Sequence, residues 1–248
     1  MDVTAIGALL PAGRGLEATL TQIKRPRTLG DEAYDQLCHA LRSGQLKPGQ
    51  PITVRGVAEA LGVSLTPARE AMGRLSAEGV LAEGPNRTVL VPRLTLRDYQ
   101  ELMTIRLALE PVAAGRAAQQ MSKADLAALR ALQDRLRDAH ARRDYQLVLR
   151  CNRDFHFFLY GKSELPTLVK ILESIWLRMG PTLTLLHEAA HAGGGWRGDT
   201  NHREILAGLG RRDVVRVERA VRKDLQDGSA RLLTALEDVT TRASASAA

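Results

Sequence analysis

Two short amphipathic stretches divided by a glycine constrain this chain more than any other feature in it. Val54, Val57, Ala58 and Leu61 recur at helical spacing and stop at Gly62, and Ala68, Met72 and Leu75 form the next apolar face, which Gly79 closes. Ser64 suits the N-cap of that second helix and Pro67 its first turn. A gap of three or four residues holds two such helices in a helix-turn-helix. Upstream, Ala33, Tyr34, Leu37, Cys38 and Leu41 predict a helix from Asp31 that Gly44 stops, followed by a turn centred on Pro48-Gly49. Downstream, the apolar runs Val80 to Ala82 and Val89 to Val91 flank Gly84-Pro85-Asn86 and predict a β-hairpin, or wing. Residues 29–94 are therefore expected to form a winged helix-turn-helix, preceded by a flexible arm over 1–28 that carries Lys24, Arg25 and Arg27.

Beyond Pro92 the period is helical almost to the end. Leu96, Tyr99, Leu102, Met103, Ile105, Leu109 and Val112 follow a capping Thr95, and Ser122 with Asp125 makes a capping box before Leu126, Leu129, Leu132 and Leu136. Further helices are expected over 145–160, 167–191, 200–209 and 214–236, with a glycine loop at Gly193-Gly194-Gly195. Only nine aromatics among 248 residues leave little material for strands, which draw on aromatic and β-branched side chains. The expected fold is mostly α: the winged unit, then an all-helical bundle over 95–240, then a disordered tail over 241–248.

No run of about 18 uncharged apolar residues exists, and the apolar patch Ala5 to Pro11 lacks the basic flank of a secretory signal, so a cytoplasmic protein is expected. Cys38 and Cys151 are too few and too far apart for a disulfide framework and read as buried thiols. The net charge of +7 suits an anionic partner. That excess is spread, with 11 basic against 9 acidic residues over 1–94 and 24 against 19 thereafter, so specificity must come from a motif.

The motif is Gly44-x-Leu46-x-Pro48-Gly49, then Val57-Ala58-x-x-Leu61-Gly62-Val63-Ser64-x-Thr66-Pro67-x-Arg69-Glu70-Ala71, then Arg74-Leu75-x-x-Glu78-Gly79. Over about 60 residues it resembles the winged helix-turn-helix of the GntR family of bacterial transcription regulators. A recognition helix presents its N-terminal residues to base edges, where an arginine can pair with guanine O6 and N7. Thr66 and Arg69 lie there opposite the apolar face, Arg55 opens the helix before, and Ser64 can donate to phosphate. The resemblance adds Asn86 and Arg87 as wing contacts. Arg74 is open to a phosphate contact or to helix packing. Two departures stand out: Leu65 occupies a position where the family often has Arg, and Thr88 one where it often has Gly. Base preference and wing depth are therefore not carried over.

The helical part begins with Arg106-x-x-Leu109-Glu110-x-x-Ala113 and continues in Asn152-x-x-Phe155-His156, Asn201-His202-Arg203 and Ala220-Val221-x-x-Asp224-Leu225. This resembles the FCD effector domain of the FadR branch. The resemblance implies a cavity for a small carboxylate over a divalent metal held by an acid or Asn and three His. Carried over by residue, the metal ligands are Asn152, His156, His202 and Asp224, the last standing where a third His is expected. Zn, Ni or Mn would suit such a set. Effector contacts are expected from Arg106, Asn152, His156 and His202. Arg106 either forks onto the anionic effector or pairs with Glu110 one turn on. His187 is a further candidate for the cavity, and Phe155, Phe157 and Phe158 are assigned to packing.

The function so implied is that of a metabolite-responsive regulator, a repressor binding a palindromic operator as a homodimer, with no enzymatic activity and with a hinge over 92–97. A metal-dependent hydrolase or lyase using the Asn/His/His/Asp cavity is the alternative, and a helical adaptor is a third reading. No nucleophile or general-base motif accompanies the cavity, and neither rival explains the winged unit.

Overall fold

The computed structural model describes residues 27–84, 88–191 and 198–245, without the side chains of 184–191, 198, 231 and 235–245. Asn86, Arg87, the arm before Arg27, the glycine loop at 193–195, the last three residues and the His187 side chain lie outside that description.

Helix α1, Leu29–Arg42, starts two residues before Asp31 because Thr28 and Asp31 form a capping box, the Thr28 hydroxyl taking the Asp31 amide and the Asp31 carboxylate taking the Thr28 amide. β1, Pro51–Ile52, precedes α2, Val54–Leu61, which Thr53 caps and Gly62 ends in the left-handed conformation at φ 66°. α3, Leu65–Ala77, follows after the turn and buries Pro67, Ala68, Ala71, Met72 and Leu75. β2, Ala82–Glu83, and β3, Val89–Leu90, form the expected hairpin, and β1 joins it so that the antiparallel sheet runs β1-β3-β2. β1 escapes a sequence reading because two residues, one of them proline, show no period. Val80 and Leu81 leave the strand and enter the core instead. That core collects Leu37, Leu41, Val57, Met72, Leu75 and Val91.

Residues 91–95 connect to α4, Leu96–Gln120, whose Thr95/Asp98 capping box makes Leu96 and Arg97 part of the helix and shortens the expected hinge. α4 runs unbroken through Pro111. A proline frees the carbonyl four residues earlier, and the Leu107 oxygen so freed accepts from Arg222 Nη1 at 3.0 Å. α5, Lys123–Ala141, opens on the expected Ser122/Asp125 box. α6, Tyr145–Gly161, α7, Pro166–His191, α8, Gly198–Gly210, and α9, Val214–Ala245, complete the bundle. α9 continues five residues into the segment expected to be a tail, which contains neither Gly nor Pro to stop it. The bundle core joins Tyr99, Leu102, Phe155, Leu159, Leu172, Ile205 and Val221, among others. Both cysteines are buried free thiols. Among the described residues no helix is long and apolar enough to cross a membrane.

Candidate functional site

Four helices of the bundle bring their polar residues to one place. α6 contributes His156, α8 His202 and α9 Asp224, whose ligand atoms lie within 4.8 Å of one another; α4 contributes Arg106 and Glu110 beside them. His156 and His202 are 1% and 0% exposed, so each ring nitrogen needs a partner inside the protein.

The hydrogen bonds determine where the protons sit. Tyr160 Oη lies 2.5 Å from Glu110 Oε2 and 3.1 Å from His156 Nδ1. Burial, reinforced by the Glu110 carboxylate, raises the Tyr160 phenol well above its ordinary range, so it keeps its proton. Its one proton goes to Glu110, and its oxygen therefore accepts from His156 Nδ1–H. Likewise Gln133 Nε2 donates to Asp199 Oδ1 at 2.9 Å, which turns Gln133 Oε1 towards His202 Nδ1 at 2.6 Å. His202 thus donates from Nδ1. Burial, with His156 adding to it, lowers its pKa to about 4, so the ring is neutral.

The Nε2 atoms of the two imidazoles face each other at 3.3 Å. Asp224 Oδ2 stands 3.3 Å from His156 Nε2 and 3.8 Å from His202 Nε2. Burial pushes the Asp224 carboxyl up, but the two imidazoles and, at longer range, Arg106 outweigh it and hold it below the usual range. Three atoms able to bind a metal ion therefore converge at one point. Two imidazoles and a carboxylate whose other nitrogens are pinned by outer hydrogen bonds form a donor set that fits a borderline divalent cation. The Phe155 ring lies flat on His202 at 4.0 Å and 5° and fixes its plane, so this phenylalanine does more than pack. Asn152, one turn before His156, is half-buried, and among the described residues no hydrogen bond joins it to the three.

Arg106 is 7% exposed and pairs with Glu110 through Nε at 2.5 Å and Nη2 at 3.4 Å. Burial works against its charge, yet Glu110 alongside holds its pKa above the ordinary value. Among the described residues its Nη1 meets the thioethers of Met103 and Met179, each at 3.8 Å, which are weak acceptors. The guanidinium also lies over the Trp176 ring at 4.4 Å, and Trp176 Nε1 donates to Glu110 Oε1 at 2.8 Å. Of the residues around the cluster, Tyr160 was missed in the sequence, although its i+4 spacing from His156 on one helix could have signalled it. Gln133 and Trp176 sit on other helices with no spacing to announce them.

In the winged unit, Ser64 takes the N-cap backbone conformation of α3 but its hydroxyl makes no capping bond, and Ser64, Thr66 and Arg69 are all exposed. Arg55 is exposed too and pairs with Glu59 one turn on. Arg74 is committed to helix packing: Nη1 meets Asp31 Oδ1 at 2.8 Å and the guanidinium covers the Tyr34 ring at 3.9 Å, tying α3 to α1.

A winged helix-turn-helix joined to an all-helical bundle defines a class of DNA-binding transcription regulators. The model of the bacterial regulatory proteins of the gntR family matches residues 29–91, and that of the FCD domain matches residues 101–227. The chain belongs to the gntR family, in the FadR branch whose members carry an FCD domain. It is 34% identical to the HTH-type transcriptional regulator McbR of Escherichia coli (strain K12) over 182 residues, 73% of this chain and 82% of that protein. The solved structure of E. coli McbR/YncC superposes with a TM-score of 0.80 at 32% identity, covering 84% of this chain and 99% of that one. A GntR transcriptional regulator from Rhodococcus sp. RHA1 shares the fold, with a TM-score of 0.69 at 22% identity over 83% of this chain and 97% of that one.

Proposed function

We propose that the protein is a cytoplasmic, metabolite-responsive repressor that binds a palindromic operator as a homodimer and is governed by a small carboxylate held in the bundle. Support comes from one observation above all: His156 Nε2, His202 Nε2 and Asp224 Oδ2 converge beside the buried Arg106. His156, His202 and Asp224 would hold a divalent ion (Zn, Ni or Mn), with the Asn152 amide one turn along as the remaining protein donor. Such an ion would supply positive charge and open coordination positions to an oxygen ligand. Arg106 orients the carboxylate through Nη1 while Glu110 keeps the guanidinium in place, and Trp176 and Phe155 exclude water. In the winged unit Arg69 and Thr66 address base edges, and Arg55 and Ser64 the phosphates, with Asn86 and Arg87 extending the contact along the wing.

The test is elemental analysis of the tag-free protein beside a His156→Ala/His202→Ala double variant, with both titrated onto a fragment of the upstream region. Near-stoichiometric metal that disappears in the variant, together with wild-type binding that is steep in salt and sensitive to small carboxylates, is the expected result. Absence of metal in both proteins after reconstitution would remove the metal from the proposal. Binding indifferent to every carboxylate would remove the effector.

A further inference from the structure

Leu65, the first residue of α3, is 48% exposed between the exposed Ser64 and Thr66, and it belongs to neither of the two main apolar cores. Gly73 lies on the outward side of the same helix, seven residues after Thr66 and four after Arg69, so these three share one stripe opposite the buried Ala68, Ala71 and Leu75. A Cβ added at Gly73 would meet no atom within 4 Å, and its φ is not positive. Nothing among the described residues therefore requires glycine there, although alanine is the better helix former. The intervening Glu70 leans away from the stripe, its carboxylate standing against Gly30 in the first turn of α1.

We propose that Leu65 is a base-reading residue that packs on the 5-methyl group of a thymine in the major groove, and that Gly73 is the clearance which lets the duplex approach α3 closely. This rests on the reading of the chain as a DNA-binding regulator. A leucine offers no hydrogen bond, so a guanine or cytosine edge placed against it would lose water without compensation. Thymine alone presents an apolar group in that groove, and burying its methyl against the side chain removes both from water. Arg69, one turn further, then reads the neighbouring position.

The experiment begins by selecting preferred duplexes from a random pool with the full-length wild-type protein. Each thymine of the selected duplex is then replaced in turn by deoxyuridine, which lacks only that methyl, and binding is measured by fluorescence anisotropy for the wild type and for Leu65→Ala. One thymine per half-site should weaken wild-type binding about fourfold when replaced, and the symmetric pair about fifteenfold, as expected for one buried methyl each. Leu65→Ala should bind the thymine and deoxyuridine duplexes alike. A selected duplex with no such thymine, or an equal loss in Leu65→Ala, overturns the role of Leu65. Failure to select any sequence would overturn the DNA-binding reading and this one together. For Gly73→Ala the expectation is a Tm raised by about 2–4 °C together with affinity lowered about tenfold by the overfilled contact. A higher Tm with unchanged affinity overturns the clearance role.

Discussion

Gly180 in α7 and Gly228 in α9 are both helical glycines, and alanine should act on them with opposite sign. At Gly228 an added Cβ meets nothing within 4 Å among the described residues, so the helix preference for alanine should dominate, about 0.5–1 kcal/mol of stabilisation. At Gly180 the same atom would stand 2.6 Å from the Leu41 carbonyl oxygen, 3.0 Å from Arg42 Cα and 3.2 Å from the Leu41 carbonyl carbon. All three are backbone atoms and cannot rotate away. Relief requires α7 to withdraw from the end of α1, and overfilling of this kind costs about 1–3 kcal/mol. Against the same helix gain, Gly180→Ala should be destabilising by roughly 1–2 kcal/mol. The contact also seats Leu177, 3% exposed, in the winged core, so the withdrawal should loosen the two units from each other. Thermal and urea unfolding of the two variants and the wild type, followed by circular dichroism, provide the assay. Gly228→Ala should raise the midpoint and Gly180→Ala lower it. If both rise by similar amounts, the close approach of α7 to α1 is not a constraint in solution and the reasoning fails.

The buried Glu110 supports a second prediction. Glu110→Ala leaves Arg106 charged, 7% exposed and without its partner, which should cost about 3–5 kcal/mol in urea unfolding, and a loss below about 1 kcal/mol would show that Arg106 is better solvated than its surroundings suggest. Gln133→Leu removes the acceptor that holds His202 Nδ1–H, so affinity for a divalent ion, measured by competition with a chelating dye, should fall about 10- to 100-fold. Unchanged affinity in a variant that still unfolds cooperatively would show that Phe155 stacking alone orients the ring.

Much of the fold was legible because it is written locally. The Thr95 cap, the Ser122/Asp125 capping box and the helix stop at Gly62 rest on residues three or four apart, and the structure places them where the spacing predicts. β1 was not legible, since its two residues pair with β3 some forty positions away and carry no pattern of their own. The same division runs through the candidate site. Asn152 and His156 share a helix face and announce each other by spacing, whereas the meeting of His156 with His202 and Asp224 depends on how α6, α8 and α9 pack. Arg106 and Glu110 are one turn apart, so their pairing was open to the sequence. That Tyr160 and Trp176 would close round the same carboxylate was not, because Trp176 reaches it from α7.

α7 is also where the site and the recognition unit meet. Trp176 and Met179 face Arg106 and Glu110, while Leu177 fills the winged core and Gly180 rests on Leu41 and Arg42. Residues consecutive in one helix thus belong to different cores, and a helix turn that reorients Trp176 cannot leave Leu177 where it was. The joint is opposed as well as held. Burial, with the neighbouring Arg42 adding to it, lowers the Arg153 pKa, and the Nε atoms of Arg42 and Arg153 are both buried without a hydrogen-bond partner. Two like charges, one from each unit, thus face each other across the joint, with Asp154 pairing with Arg153 at 3.1 Å and offsetting part of their repulsion. A ligand shifts such a joint only through unequal affinity for its two arrangements, and a coupling of about 1–3 kcal/mol is the ordinary scale. Under the proposed function a carboxylate at Arg106 Nη1 would change the charge balance around Glu110, the acceptor that fixes Trp176. Such a differential contact would lie within one turn of the α7 surface that packs on the winged unit, so that reading would require no longer pathway through the bundle.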